Sequence, residues 1–83
     1  MKYIQNKEVF AADLDKEVCI FNPKNGEYIN LNQTGSDIWN LIEEMKSVDS
    51  LLESLLIKYD EEKELVKSNL IEFLNDGIKN GFI

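Results

Sequence analysis

Sixteen acidic residues and one cysteine carry most of the potential chemistry of this 83-residue sequence, and it contains no histidine. Without histidine the commonest general base is missing, so a nucleophile would need activation from some other group. Cys19 lies in Val18-Cys19-Ile20-Phe21, an apolar run with no base or cation to activate the thiol. There it reads as a small core hydrophobe. A single cysteine forms no internal disulfide, and without histidine it offers no Cys/His metal set. The acids Glu43-Glu44 and Glu61-Glu62-Glu64 fall at helix surfaces and ends, where solvation and the helix dipole account for them. A Mg²⁺ or Ca²⁺ site would need a loop with ligand spacing, which the sequence lacks. Its four scattered glycines form no phosphate cradle. These residue types point to binding, not catalysis, and to no metal or cofactor.

Charge narrows the partners. Nine basic residues against sixteen acids give a net charge of −7. Such a surface repels phosphate backbones, which argues against nucleic acid and anionic membranes and favours partners with local positive charge. The N-terminus has no basic-then-apolar signal pattern, and no apolar run approaches a membrane span. The cytoplasm is the expected location. With 43% hydrophobic and 30% charged residues, the chain is globular in composition, and its length suits one domain over residues 1–83.

The elements that would position a binding surface change character along the chain. Lys7 to Leu14 and Glu17 to Asn22 are short runs rich in Val, Ile and Phe, separated by Asp15-Lys16. Glu27 to Leu31 follows the turn Asn22-Pro23-Lys24-Asn25-Gly26, in which Pro23 fixes φ and Gly26 accepts a positive one. From Asn32 the apolar period becomes helical, with Ile38, Trp39, Ile42 and Met45 on one face. Asn32 is the expected N-cap and Thr34 its alternative. Gly35, in the first turn, lets the helix lie close to the sheet. A second helix starts near Ser47 and buries Val48, Leu51, Leu52, Leu55 and Leu56. Asp60 is placed to cap a third, running from about Glu62 to Lys79, with a core stripe of Val66, Leu70, Phe73, Leu74 and Gly77. Asn80-Gly81 gives a left-handed stop, and Phe82-Ile83 can fold back onto the core. The expected fold is α+β: a three-stranded N-terminal antiparallel sheet followed by three helices, a winged helix-turn-helix-like arrangement.

The segment Asn25-Gly26-Glu27-Tyr28-Ile29-Asn30-Leu31-Asn32-Gln33-Thr34-Gly35-Ser36-Asp37-Ile38-Trp39 resembles the signature of PqqD-like proteins. A turn ending in Gly, an aromatic strand, a Leu-Asn pair, Thr-Gly and Ile-Trp follow one another as they do in that family. Tyr59-Asp60, Val66, Leu70, Phe73-Leu74 and Gly81 extend the likeness over nearly the whole chain from Val9. Thr34-Gly35 stands where quinone-cofactor pathway members have Ser-Ala, so the chain looks like a general stand-alone recognition element. Glu43-Glu44-Met45-Lys46 replaces a turn found in many members.

The resemblance implies a RiPP recognition element: a non-catalytic peptide chaperone of natural product biosynthesis that captures the leader of a precursor peptide. It would present that leader to a modifying enzyme, such as a radical SAM enzyme, or to a leader peptidase. It also implies that the leader adds as a strand beside Tyr28, Ile29, Asn30 and Leu31. The leader would also pack against the third helix. There Ile71 and Ile78 lie just outside the core stripe, next to Leu74 and with Lys67 one turn above. They read either as the wall of a peptide groove or as further core under Phe82. Asn32, Gly35 and Trp39 read as cap, close packing and core, without touching a ligand. Two alternatives share the architecture: a DNA-binding regulator, and an accessory subunit that binds no peptide. The acidic balance gives a first prediction. At physiological salt and micromolar protein, random duplex DNA should show no shift in a mobility assay, and a salt-sensitive shift would favour the regulator.

Overall fold

A computed structural model describes all residues, Met1 to Ile83. The chain forms β1 (Lys2–Tyr3), β2 (Phe10–Leu14), β3 (Glu17–Asn22), β4 (Glu27–Asn30), α1 (Gln33–Leu41), β5 (Lys46–Ser47), α2 (Val48–Lys58) and α3 (Lys63–Asn80). Strands β2, β3 and β4 make an antiparallel sheet in that order, and β1 pairs with β5 in a separate short ribbon. This is an α+β, winged helix-turn-helix-like fold. The β1–β5 ribbon has no counterpart in the apolar pattern, because two-residue strands are too short to show a period.

Local sequence explains the sheet. Asp15 and Lys16 take φ values of 50° and 76°, the left-handed pair of a two-residue hairpin turn closed by Leu14 and Glu17. Between β3 and β4, the Gly26 N–H donates to the Asn22 carbonyl at 2.8 Å. The Asn22 and Asn25 side chains each accept from a backbone N–H two residues on, at Lys24 and Glu27. Along β3 the burial alternates, with Val18, Ile20 and Asn22 facing the helices and Cys19 and Phe21 on the opposite, outer face. Every β2 residue is exposed, so this strand extends past the helical layer.

Helices α1 and α2 begin with polar caps, of which Asn32 is the expected one. Asn32 accepts from the Gly35 N–H at 2.8 Å, and Ser47 accepts from the Ser50 N–H at 3.1 Å. Asp60 does not cap α3: the cap position is Glu62, and its side chain makes no capping bond. The first helix also ends sooner than its apolar pattern suggested. It stops at Leu41, so Met45 falls beyond it and is exposed. Gly81, at φ 82°, closes α3, and the Phe82 N–H returns to the Gly77 carbonyl at 2.9 Å. Phe82 is thereby buried against Trp39 and Phe73, with ring centroids 6.0 and 5.7 Å away. The segment after β1 satisfies helix-end carbonyls, with the Gln5 side chain on Trp39 and the Asn6 side chain on Gly81, both at 2.7 Å.

One core comprises Val18, Ile20, Leu31, Ile38, Trp39, Ile42, Leu51, Leu52, Leu55, Val66, Leu70, Leu74 and Phe82. Each large side chain removed from water there contributes about 1.5–3 kcal/mol. Cys19 lies outside that cluster, half-buried on the sheet's outer face. The joint between sheet and helices is polar. Ser36 is 1% exposed; its hydroxyl accepts from the Val18 N–H at 2.8 Å and donates to the Leu31 carbonyl at 3.4 Å. Ser36→Ala should therefore destabilise by about 1–3 kcal/mol, since it leaves a buried donor unpaired. Chemical denaturation checks this, and an unchanged midpoint would mean that the joint depends on packing alone.

Candidate functional site

The ladder of β4 fixes which of its backbone groups are free. The Leu31 N–H donates to the Val18 carbonyl at 2.8 Å. Hydrogen-bonded pairs alternate in an antiparallel ladder, so the Ile20–Ile29 pair is also of this kind. Leu31 and Ile29 consequently point their N–H and C=O inward to β3, while Tyr28 and Asn30 point theirs outward. No strand pairs with that outward side of β4. An exposed edge of this kind can accept one further strand. Side chains alternate in the opposite sense. Tyr28 stands over Phe21 on the outer face, with ring centroids 4.8 Å apart, and Ile29 faces inward beside Ile20.

Where β4 runs into α1, a groove of about 300 Å³ opens between α1 and α3, lined by Asn32, Thr34, Gly35 and Ile38 on one side and Asn69, Glu72, Phe73 and Asp76 on the other. Gly35 sets its width. A Cβ on that residue would lie 3.1 Å from Cε1 of Phe73, so the lack of a side chain lets α3 approach α1. The close approach expected between Gly35 and the sheet is thus made to α3. Phe73 is half-buried and closes the bottom of the groove as well as touching the core.

The structure separates the residues expected to bind into three groups. Tyr28 and Asn30 are exposed on the free edge, and Ile29 is half-buried beside them. Leu31 and Leu74 are core residues, with Leu74 fully buried. Lys67, Ile71 and Ile78 each lie two residues from Asn69, Phe73 or Asp76, which at about 100° per residue is almost the opposite side of α3. They do not line the groove. The α3 residues that line it are Asn69, Glu72, Phe73 and Asp76. Three of those four are polar and exposed, so their spacing carries no apolar signal.

Electrostatics at the other end of α1 serve the fold. Asp37 accepts from the Tyr59 hydroxyl and from Lys58 Nζ, the latter at 2.9 Å, joining the end of α2 to α1. Burial first, and then the bond to Asp37, hold the Tyr59 phenol above its ordinary pKa. Lys58 is raised mainly by its bond to Asp37. No group of three His, Cys, Asp or Glu side chains is arranged to hold a metal ion, and no helix is long and apolar enough to cross a membrane.

With this geometry in place, comparison with known proteins becomes informative. The sequence pattern of the family Coenzyme PQQ synthesis protein D (PqqD) matches residues 17–83. The chain belongs to the PqqD family. Two solved structures share the PqqD-family fold seen here. TbiB1 in complex with the TbiA(beta) leader peptide superposes with a TM-score of 0.89 at 26% identity, covering 96% of this chain and 93% of that one. Lasso peptide synthetase B1 complexed with the leader peptide gives 0.84 at 20% identity, covering 98% of this chain and 94% of that one. No curated protein matches by sequence.

The β4 polarity makes a specific prediction for this PqqD-family chain. Asn30→Pro deletes an outward N–H and should leave the fold intact, whereas Ile29→Pro deletes an inward one. Ile29→Pro should be less stable than Asn30→Pro by at least about 1 kcal/mol in urea denaturation. The reverse order would mean that the ladder alternation is assigned the wrong way round.

Proposed function

We propose that this chain is a RiPP recognition element, capturing the leader of a ribosomally made precursor peptide as an added strand on β4 and holding it for a separate modifying enzyme or leader peptidase. The observation that carries this reading is the free edge at Tyr28 and Asn30 running into the groove between α1 and α3. Membership of the PqqD family and the likeness to TbiB1, solved with a leader peptide, support it. Backbone pairing at the edge supplies affinity without sequence information, and the groove supplies selection. The contacts proposed are Tyr28, Ile29 and Asn30 on the strand, and Asn69, Glu72, Phe73 and Asp76 on α3. Leu31 and Leu74 support them from below.

The domain performs no catalysis in this reading. Tethering a leader beside an enzyme replaces a bimolecular encounter with a local one at an effective concentration of about millimolar. The enzyme can then act on varied core sequences without recognising them strongly. A role in the cytoplasm fits a precursor that has not yet been processed. The regulator reading gains nothing from the structure, because the groove flank of α3 carries acids where a DNA-reading helix needs bases.

Filling the groove tests the proposal. Asn69→Trp should weaken binding of a candidate leader peptide, found by titrating short precursor sequences from the same locus, by at least tenfold, about 1.4 kcal/mol, in calorimetric titration. Lys67→Trp, on the opposite side of α3, should leave it within about twofold. Loss of binding in Lys67→Trp alone would move the peptide to the far flank, where Ile71 and Ile78 lie.

A further inference from the structure

We infer that the groove selects leader strands carrying a lysine or arginine on the side chain that turns toward α3, an inference that rests on the strand-addition reading above. Glu72 and Asp76 stand one turn apart on the groove flank of α3, both exposed. Like charges at that spacing oppose helix formation slightly, so they are unfavourable until something neutralises them. Neither belongs to an ion pair: the three that form are Lys24–Glu8, Lys46–Glu44 and Lys58–Asp37. No lysine or arginine lines the groove, and its opposite wall is amide, hydroxyl, glycine and Ile38. The groove therefore holds two negative charges that no ion pair takes up. The cation nearest along α3 is Lys79, three residues beyond Asp76 and outside the groove lining.

Register says where on the peptide the cation sits. Opposed residues of neighbouring strands share a face. A residue opposite Tyr28 or Asn30 turns to the outer face with Phe21 and Cys19, whereas a residue opposite Ile29 turns inward toward the helices. Positions two residues on from that one return to the same face and follow the strand past Asn30 to the groove mouth at Asn32. A long aliphatic stem there can lie over Phe73 while its charged head reaches Glu72 and Asp76. The selection is for a basic side chain at one inward position or the next, within an otherwise strand-forming leader.

A displayed library of random twelve-residue peptides tests this without a known ligand. It is selected in parallel on the parent protein, on Glu72→Lys/Asp76→Lys and on Glu43→Lys/Glu53→Lys, which makes the same change in net charge elsewhere. Circular dichroism confirms folding of each, and selected pools are then tested on Asn30→Pro. Aligned peptides from the parent and from the Glu43/Glu53 variant should show Lys or Arg enriched roughly threefold or more at one position, an effect that falls as salt rises. The Glu72/Asp76 variant should lose or reverse that preference. Pools that depend on Asn30 yet show no basic position overturn the inference while leaving strand addition standing. Equal basic enrichment on all three proteins also overturns it, since net charge alone would then explain the selection. Pools indifferent to Asn30→Pro, or no enrichment at all, overturn strand addition and the inference with it.

Discussion

The hydroxyl of Ser36 decides where the sheet stops. An uninterrupted ladder would pair the Val18 N–H with the Leu31 carbonyl. Instead Ser36 takes both, at 2.8 and 3.4 Å, from the first turn of α1. The ladder therefore ends with a single backbone bond at Leu31, and the chain turns directly into a helix capped by Asn32. This has two consequences. The phase of the ladder is fixed, so Tyr28 and Asn30 keep their backbone groups free. The axis of α1 is pinned against β3, which places Gly35 where Phe73 of α3 can approach it. Edge and groove thus adjoin one buried hydroxyl, in the short stretch of sequence that links them.

The rest of the molecule stabilises that arrangement without taking part in it. Phe82 returns after Gly81 and packs on Trp39 and Phe73, tying α3 to α1. A Cβ on Gly77 would meet Phe82 and Ile83, so the absence of one lets this tail lie flat on the helix. Asp37 accepts from both Tyr59 and Lys58, tying α2 to α1. Both partners have pKa values raised above normal, so their contribution is present below about pH 10 and fades as pH rises through the folded values. At neutral pH these bonds between α2 and α1 are therefore intact.

Much of this was legible in the sequence, for reasons that also explain the failures. The helix cap at Asn32, the start of α2 near Ser47, the turn at Gly26 and the stop at Gly81 depend on local backbone chemistry, which residue type reveals directly. The apolar stripes of α2 and α3 followed from period alone. The end of α1 was misjudged because Met45 keeps the spacing of the stripe after the helix has ended. The start of α3 near Glu62 agrees with the expectation, but its cap does not, because Asp60 is a good capping residue in a position the chain does not use. The flank of α3 that lines the groove is harder to read. Ile71 and Ile78 are apolar beside the core, which marks them as a candidate wall, yet which side of a helix borders a groove is a tertiary fact. Asn69, Glu72 and Asp76 resemble any solvated face until Gly35 and the end of β4 are placed opposite them.

The central claim is that a peptide strand pairs with the outward backbone of β4. Amide hydrogen exchange read residue by residue, with and without a leader peptide that the protein binds, reports on that pairing directly. The N–H groups of Tyr28 and Asn30 have no partner in the free protein and should exchange fast. They should become protected by at least about tenfold when the leader saturates, while Ile29, already paired with β3, changes little. Leader binding that leaves Tyr28 and Asn30 as fast as before would contradict strand addition at this edge.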